Sequence, residues 1–81
     1  MEEGFNVVQF FSTGQYEYVR RNVSAKDAGA AMGHYTRSVA ARMGVVTKVI
    51  ITDMLDQTCF EWEYGKGITF PTTDAIDPTQ N

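Results

Sequence analysis

The sequence predicts an α+β domain with the element order ββαββ, in which two antiparallel hairpins form one sheet and a single helix packs on one face. Three observations support this class. Two runs rich in aromatic and β-branched residues, 5–11 and 16–23, are separated by a short polar segment. Two similar runs, 45–53 and 58–64, follow later in the chain. Between the two pairs, residues 25–43 carry apolar side chains at helical spacing.

The first turn and the helix have recognisable end signals. The connection 12–15 contains a glycine and joins the first two strands as a four-residue turn. Ser24 is followed three residues later by Asp27, which predicts a capping box: the serine hydroxyl accepts a backbone N–H and the carboxylate reaches back. Gly44 suits the left-handed position that ends a helix. We therefore expect one helix over residues 25–43.

The second hairpin turns at residues 54–57 and ends in a strand whose side chains alternate. The alternation predicts one face with Thr58, Phe60, Trp62 and Tyr64, and an opposite face with Cys59, Glu61 and Glu63. Residues 68–70 allow a short edge strand before Pro71, which lacks the N–H of a central strand. We assign residues 1–70 to a single domain and 71–81, which are mostly polar, to a disordered C-terminal tail.

Composition excludes several function classes. Cys59 is the only cysteine and His34 the only histidine, so neither an intramolecular disulfide nor a structural zinc site can form. The apolar runs are too short to span a bilayer, and the acidic start differs from a secretory signal. We therefore predict a cytoplasmic protein with no membrane association, no metal and no cofactor.

The apolar residues of the strands outnumber the positions that one helix covers. Phe5 and Val7 fall in one alternation set of the first strand, and Val8 and Phe10 fall in the other. Each such side chain contributes about 1.5–3 kcal/mol when it is fully buried. We therefore predict a partner on the helix-free sheet face, most simply a second copy in a homodimer, although another protein would also fit.

The outer side of the helix offers a second candidate interface. Gly29 and Gly33 lie among small residues there, and each helical glycine costs about 1 kcal/mol relative to alanine. Close approach of another backbone would explain them. The alternative is that both glycines face the margin of the sheet and let the helix sit close to it.

Tyr16, Tyr18 and Arg20 are alternate residues of the second strand and predict one shared face of that strand. Tyrosine and arginine are enriched in protein interfaces, so we include all three in the predicted interface. Aromatic side chains beside cations also stack single-stranded nucleic acid, and Arg21 and Lys48 would extend such a site. The net charge of -3 makes the protein interface the better interpretation.

The third hypothesis is a small-ligand or enzymatic site near His34 and Trp62. No carboxylate stands at helical spacing from His34 to orient it for proton transfer. We therefore favour a non-enzymatic interaction module over an enzyme.

Overall fold

The computed structural model describes residues 4–71. It contains the strands β1 (Phe5–Phe11), β2 (Tyr16–Val23), β3 (Val46–Asp53), β4 (Thr58–Glu63) and β5 (Gly67–Phe70), and the helices α1 (Ala25–Thr36) and α2 (Val39–Arg42). All strands pair antiparallel in one sheet of order β2-β1-β3-β4-β5. The α+β class with a helix packed on an antiparallel sheet is confirmed.

The fifth strand changes the predicted ββαββ order to ββαβββ. The N–H of Lys66 donates to the carbonyl of Glu63 over 3.0 Å, which closes a turn after β4. Residues 67–70 therefore return along the free edge of β4. The assignment of residues 1–70 to a single domain stays a prediction. The predicted disordered tail lies, apart from Pro71, outside the described residues.

The predicted helix over residues 25–43 is wrong in its second half, because Ser38 interrupts it. The Ser38 hydroxyl accepts the N–H of Ala41 over 3.1 Å and donates to the carbonyl of Tyr35 over 3.2 Å. It thereby ends one helix and begins the next. The apolar spacing over residues 25–43 predicts that Val39 and Met43 pack on the sheet, but they are 63% and 71% exposed.

The predicted helix ends are confirmed at Ser24 and Gly44. The N–H of Asp27 donates to the Ser24 hydroxyl over 3.1 Å, which is the first bond of the capping box. Gly44 follows α2 with a φ of 79°, the left-handed conformation that glycine adopts at low cost.

The core lies between α1 and the first strands of the sheet. α1 packs mainly on β1, β2 and β3, so β4 and β5 extend past the helix. The buried side chains of this core are Val7, Ala28, Ala31, Met32, Ala41, Val46, Val49 and Ile51. The sheet thus has a side that α1 partly covers, the helix side, and an opposite side, the open face.

Several shifts of register interrupt the alternation on which the predicted faces depend, and the β-bulges at Val19 in β2 and Cys59 in β4 move residues for which a face was predicted. In β2, Val8 pairs with Tyr18 but Val7 pairs with Arg20, so Val19 is an extra residue. In β4, Ile51 pairs with Phe60 but Thr52 pairs with Thr58, so Cys59 is an extra residue. Arg20 and Thr58, next to these bulges, consequently lie on the side opposite to the one that simple alternation predicts, whereas the second shift in the β1–β2 pair returns Val23 to the core side.

The bulge in β4 corrects the predicted faces of that strand. Thr58 pairs with Thr52 and lies on the open face, whereas Cys59 and Phe60 both border a groove on the helix side. Glu61 pairs with Ile50 and lies on the open face. It therefore lies on the face opposite to Phe60, as the alternation predicted.

Candidate interaction site

The open face consists of three rows of paired side chains that cross the strands. The first row is Tyr18, Val8, Ile50 and Glu61; the second is Tyr16, Phe10, Lys48 and Glu63; the third is Asn6, Thr52 and Thr58. In the first two rows, tyrosines therefore occupy the β2 end and carboxylates the β4 end, while the centre is Val8 and Ile50 in one row and Phe10 and Lys48 in the other. The face is only in part apolar, since its β4 half carries charge.

Aromatic rings shield the centre of the open face in the absence of a covering helix. Val8 is only 3% exposed, and Phe10 and Tyr18 are half-buried. The ring of Tyr16 lies 5.8 Å from that of Phe10 and 6.1 Å from that of Tyr18, between ring centroids. Tyr16 itself is 61% exposed, so this aromatic group offers its outer surface to a partner.

The charged side chains of the open face divide into paired and unpaired groups. Lys48 Nζ lies 3.4 Å from Glu61, and Lys66 Nζ lies 3.8 Å from Glu63. The Arg21 guanidinium lies 4.1 Å from the centroid of the Tyr18 ring, a cation–π distance. Asp56, in the turn between β3 and β4, borders the open face. Within residues 4–71, neither Arg21 nor Asp56 forms an ion pair.

A shallow hollow of about 220 Å³ lies in the open face and contains an unusual hydroxyl. Its lining includes Val8, Tyr16 and Tyr18 together with Thr52 and Asp56. Thr52 is 7% exposed, and its Oγ1 has no hydrogen-bond partner among the described residues. A buried hydroxyl without a partner costs about 1–3 kcal/mol.

The bulge at Val19 corrects the expected grouping of Tyr16, Tyr18 and Arg20. Arg20 lies on the helix side, where its guanidinium is 5.7 Å from the centroid of the Tyr35 ring and 3.5 Å from the Tyr35 hydroxyl. Arg21 takes the expected place beside Tyr18. The two tyrosines do share the open face, as predicted.

His34 and Trp62 are not brought together. His34 contacts Tyr35 edge-on at 4.9 Å and borders a groove with Arg20 and Asp27 on the β2 side of α1. Trp62 lies on β4 and packs against the core, on the side of α1 opposite to His34. The hypothesis of a site between His34 and Trp62 therefore finds no shared groove in the part of the chain that the structure describes.

Gly29 and Gly33 face the sheet margin, but the helix does not lie close to it there. Both border a groove of about 530 Å³ between α1 and the helix side of β4 and β5, which we call the helix-side groove. Among residues 4–71, a Cβ atom at Gly29 would meet no atom within 4 Å apart from the adjoining helix backbone. The glycines thus widen a groove instead of allowing backbones to touch.

Metal centres and membrane-spanning helices are absent from residues 4–71. Groups of three or more His, Cys, Asp or Glu side chains placed to hold a metal ion are absent from this part of the chain. Neither described helix is long and apolar enough to cross a membrane. Comparison of the chain with protein-family models, curated proteins and solved structures finds no significant match. Function must therefore be inferred from the residues themselves.

Proposed function

We propose that this protein is a non-enzymatic interaction module that forms a homodimer through the open face. The observation that carries the proposal is the exposed aromatic group on the helix-free face, where Tyr16 is 61% exposed and its ring contacts those of Phe10 and Tyr18. Removing the exposed parts of these side chains from water stabilises a complex by about 25 cal/mol per Å². Tyrosine, with a rigid apolar ring and a polar end, is favoured at the centre of interfaces.

A second copy fits this face because the face is complementary to itself. A two-fold axis that runs along the strands, between β1 and β3, sets β2 of one copy opposite β4 of the other. The aromatic end of each row then meets the carboxylate end of the partner's row. Arg21 lies at the β2 edge and Asp56 in the turn before β4, so the same axis brings Arg21 toward the partner's Asp56. The two unpaired charges of the open face thereby neutralise each other.

The size of the face sets the expected affinity. Four strands about 4.8 Å apart and six residues of about 3.4 Å rise give a face of about 20 Å by 20 Å. That is small beside the roughly 800 Å² that each partner buries in a standard specific interface. We therefore expect a dissociation constant of order 0.1 mM for the homodimer.

Single-stranded nucleic acid is the second candidate partner, and Tyr16 and Tyr18 supply the stacking surface that it needs. The charges favour it less. Arg21 is the one cation of the open face without an ion pair among the described residues, because Lys48 is held by Glu61. Glu61, Glu63 and Asp56 would repel phosphates. A different protein with an apolar patch is a further candidate partner for the open face. We also propose a cytoplasmic location, because Cys59 is unpaired.

Sedimentation velocity over a range of concentrations tests the homodimer. We expect the wild type to shift from monomer to dimer, and Tyr16→Ser to weaken the dimer about tenfold because it removes the most exposed ring of the face. Met43→Ser is the matched control, since Met43 is equally exposed but follows α2. A wild type that stays monomeric at millimolar concentration contradicts the proposal. So does an equal effect of both substitutions.

Binding of a single-stranded oligonucleotide, measured at several salt concentrations, tests nucleic acid as the alternative partner of the open face. The homodimer proposal predicts no binding at low salt. Binding that Tyr16→Ser abolishes would instead assign the open face to nucleic acid.

A further inference from the structure

We propose that the helix-side groove binds an elongated apolar molecule that ends in a carboxylate, of the type of a medium-chain fatty acid. The groove lies between α1 and the strands β4 and β5, on the opposite side of the sheet from the open face. Its occupation therefore does not depend on the homodimer.

The shape of the groove follows from an incomplete helical layer. Within residues 4–71, α1 packs mainly on β1, β2 and β3, so no described helix lies above the helix side of β4 and β5. The floor is apolar and consists of Phe5, Ile51, Phe60 and Ile68. The volume of about 530 Å³ lies in the range of small-molecule sites, about 300–1,000 Å³.

The wall of the groove is a stretch of α1 without bulky side chains. Ala25, Gly29 and Gly33 stand at successive intervals of four residues, so they line one flank of the helix. At Gly29, no described atom outside the neighbouring helix backbone lies within 4 Å of the Cβ position. From Ala25 to Arg37 the helical rise gives a channel of roughly 18 Å. This length suits an extended chain of about a dozen carbons and leaves bulkier ring systems poorly accommodated.

A cation stands at one end of this apolar channel. The Arg37 guanidinium folds back along the helix flank, with its nearest nitrogen 3.3 Å from the Cβ position of Gly33. Among residues 4–71, Arg37 has no carboxylate partner. Thr36 borders the same end of the groove and adds a hydroxyl. A carboxylate is the group that a guanidinium binds with two parallel hydrogen bonds, so the charge selects an acid over a neutral chain.

Two probes already present in the chain report on the groove. Cys59 is exposed and lines the groove, so an occupant should slow its alkylation. Trp62 is the single tryptophan and pairs with Ile68 of the groove floor, so we expect its fluorescence to change when the groove is occupied.

The experiment titrates dodecanoic acid, and separately dodecanol, into the full chain while Cys59 alkylation and Trp62 fluorescence are followed. Gly29→Leu should fill the groove and reduce affinity for the acid at least about tenfold. The substitution replaces a helical glycine by a good helix former in open space, so the fold is retained. Ala30→Leu, on the neighbouring flank toward His34, is the control and should leave affinity unchanged.

A second variant tests the carboxylate. Arg37→Gln should weaken the binding of dodecanoic acid about three- to fivefold, as expected for a partly exposed ion pair, and leave the binding of dodecanol unchanged. No protection of Cys59 in the wild type, or equal affinity of wild type and Gly29→Leu, overturns the site. Equal binding of acid and alcohol by the wild type overturns the assigned ligand class.

Discussion

At the residue scale, the Thr52 hydroxyl is the most unusual feature of the open face, since it is buried and has no partner among the described residues. We predict that Thr52→Val stabilises the monomer by about 1 kcal/mol, because valine keeps the branched shape and removes the unsatisfied group. Chemical denaturation at low micromolar concentration measures this. Thr58→Val, at the exposed end of the same row, is the control and should change stability by less than about 0.5 kcal/mol. A clear loss of stability in Thr52→Val would show that the hydroxyl is bonded.

Residue-level prediction from the sequence succeeded for Tyr16 and Tyr18 and was wrong for Arg20. Alternation places the tyrosines on one face correctly because no irregularity separates them. The bulge at Val19 lies between Tyr18 and Arg20, and it arises from the register with β1. Nothing in residues 16–23 alone specifies that register. Spacing alone therefore selects Arg20 as the cation beside Tyr18, whereas the structure places Arg21 there.

At the scale of single elements, two glycines of the helical region should respond in opposite ways to the same substitution. Gly44 has a φ of 79°, and a Cβ atom there would lie 3.1 Å from the ring of Tyr64. We predict that Gly44→Ala destabilises the protein by about 1–2 kcal/mol. Gly29→Ala should stabilise it by about 0.5–1 kcal/mol, because Gly29 lies inside α1 next to open space.

Thermal and urea denaturation of the two alanine variants compare these effects directly, each variant serving as the control for the other. Stabilisation by Gly44→Ala would contradict the left-handed helix end. Destabilisation by Gly29→Ala would mean that the helix-side groove is closed in solution.

The strands and the start of the helix follow from local sequence, whereas the end of the helix does not. Aromatic and β-branched runs set β1 to β4 within about two residues of their predicted bounds. The break at Ser38 depends on a hydroxyl that satisfies the end of one helix and the start of the next. A serine inside an apolar helical pattern is compatible with either a continuous or a broken helix. The apolar pattern across residues 39–43 therefore suggested a longer helix than the one that forms.

At the scale of the whole molecule, the proposed dimer makes a specific prediction about charge. Arg21→Glu and Asp56→Arg should each weaken association about five- to tenfold, because each turns two cross-interface attractions into repulsions. The double variant should recover most of the affinity, since in a two-fold interface each chain supplies both members of the pair.

Sedimentation equilibrium of the two single variants and the double variant measures this coupling, and Lys26→Glu, on the exposed start of α1, is the control. If the double variant loses as much association free energy as the two single variants together, the two-fold axis along the strands is excluded. The homodimer could then persist in another orientation.

The sequence predicts that one helix lies on only one face of the sheet, but it does not predict the order of the strands. One helix was expected to leave apolar residues uncovered, and Val8, Phe10 and Ile50 do lie opposite the helix. Local patterns do not state which strands become neighbours, so the placement of β1 between β2 and β3 had to come from the structure. That order also divides the open face into an aromatic half and a charged half, and it opens the helix-side groove.

Amide chemical shifts of the wild-type protein, recorded by NMR from about 20 μM to about 1 mM, test self-association through the open face most directly. We predict concentration-dependent shifts at Val8, Tyr18, Ile50 and Thr52, with α1 unchanged. Constant shifts throughout this range, or changes confined to α1, would contradict a homodimer built on the open face.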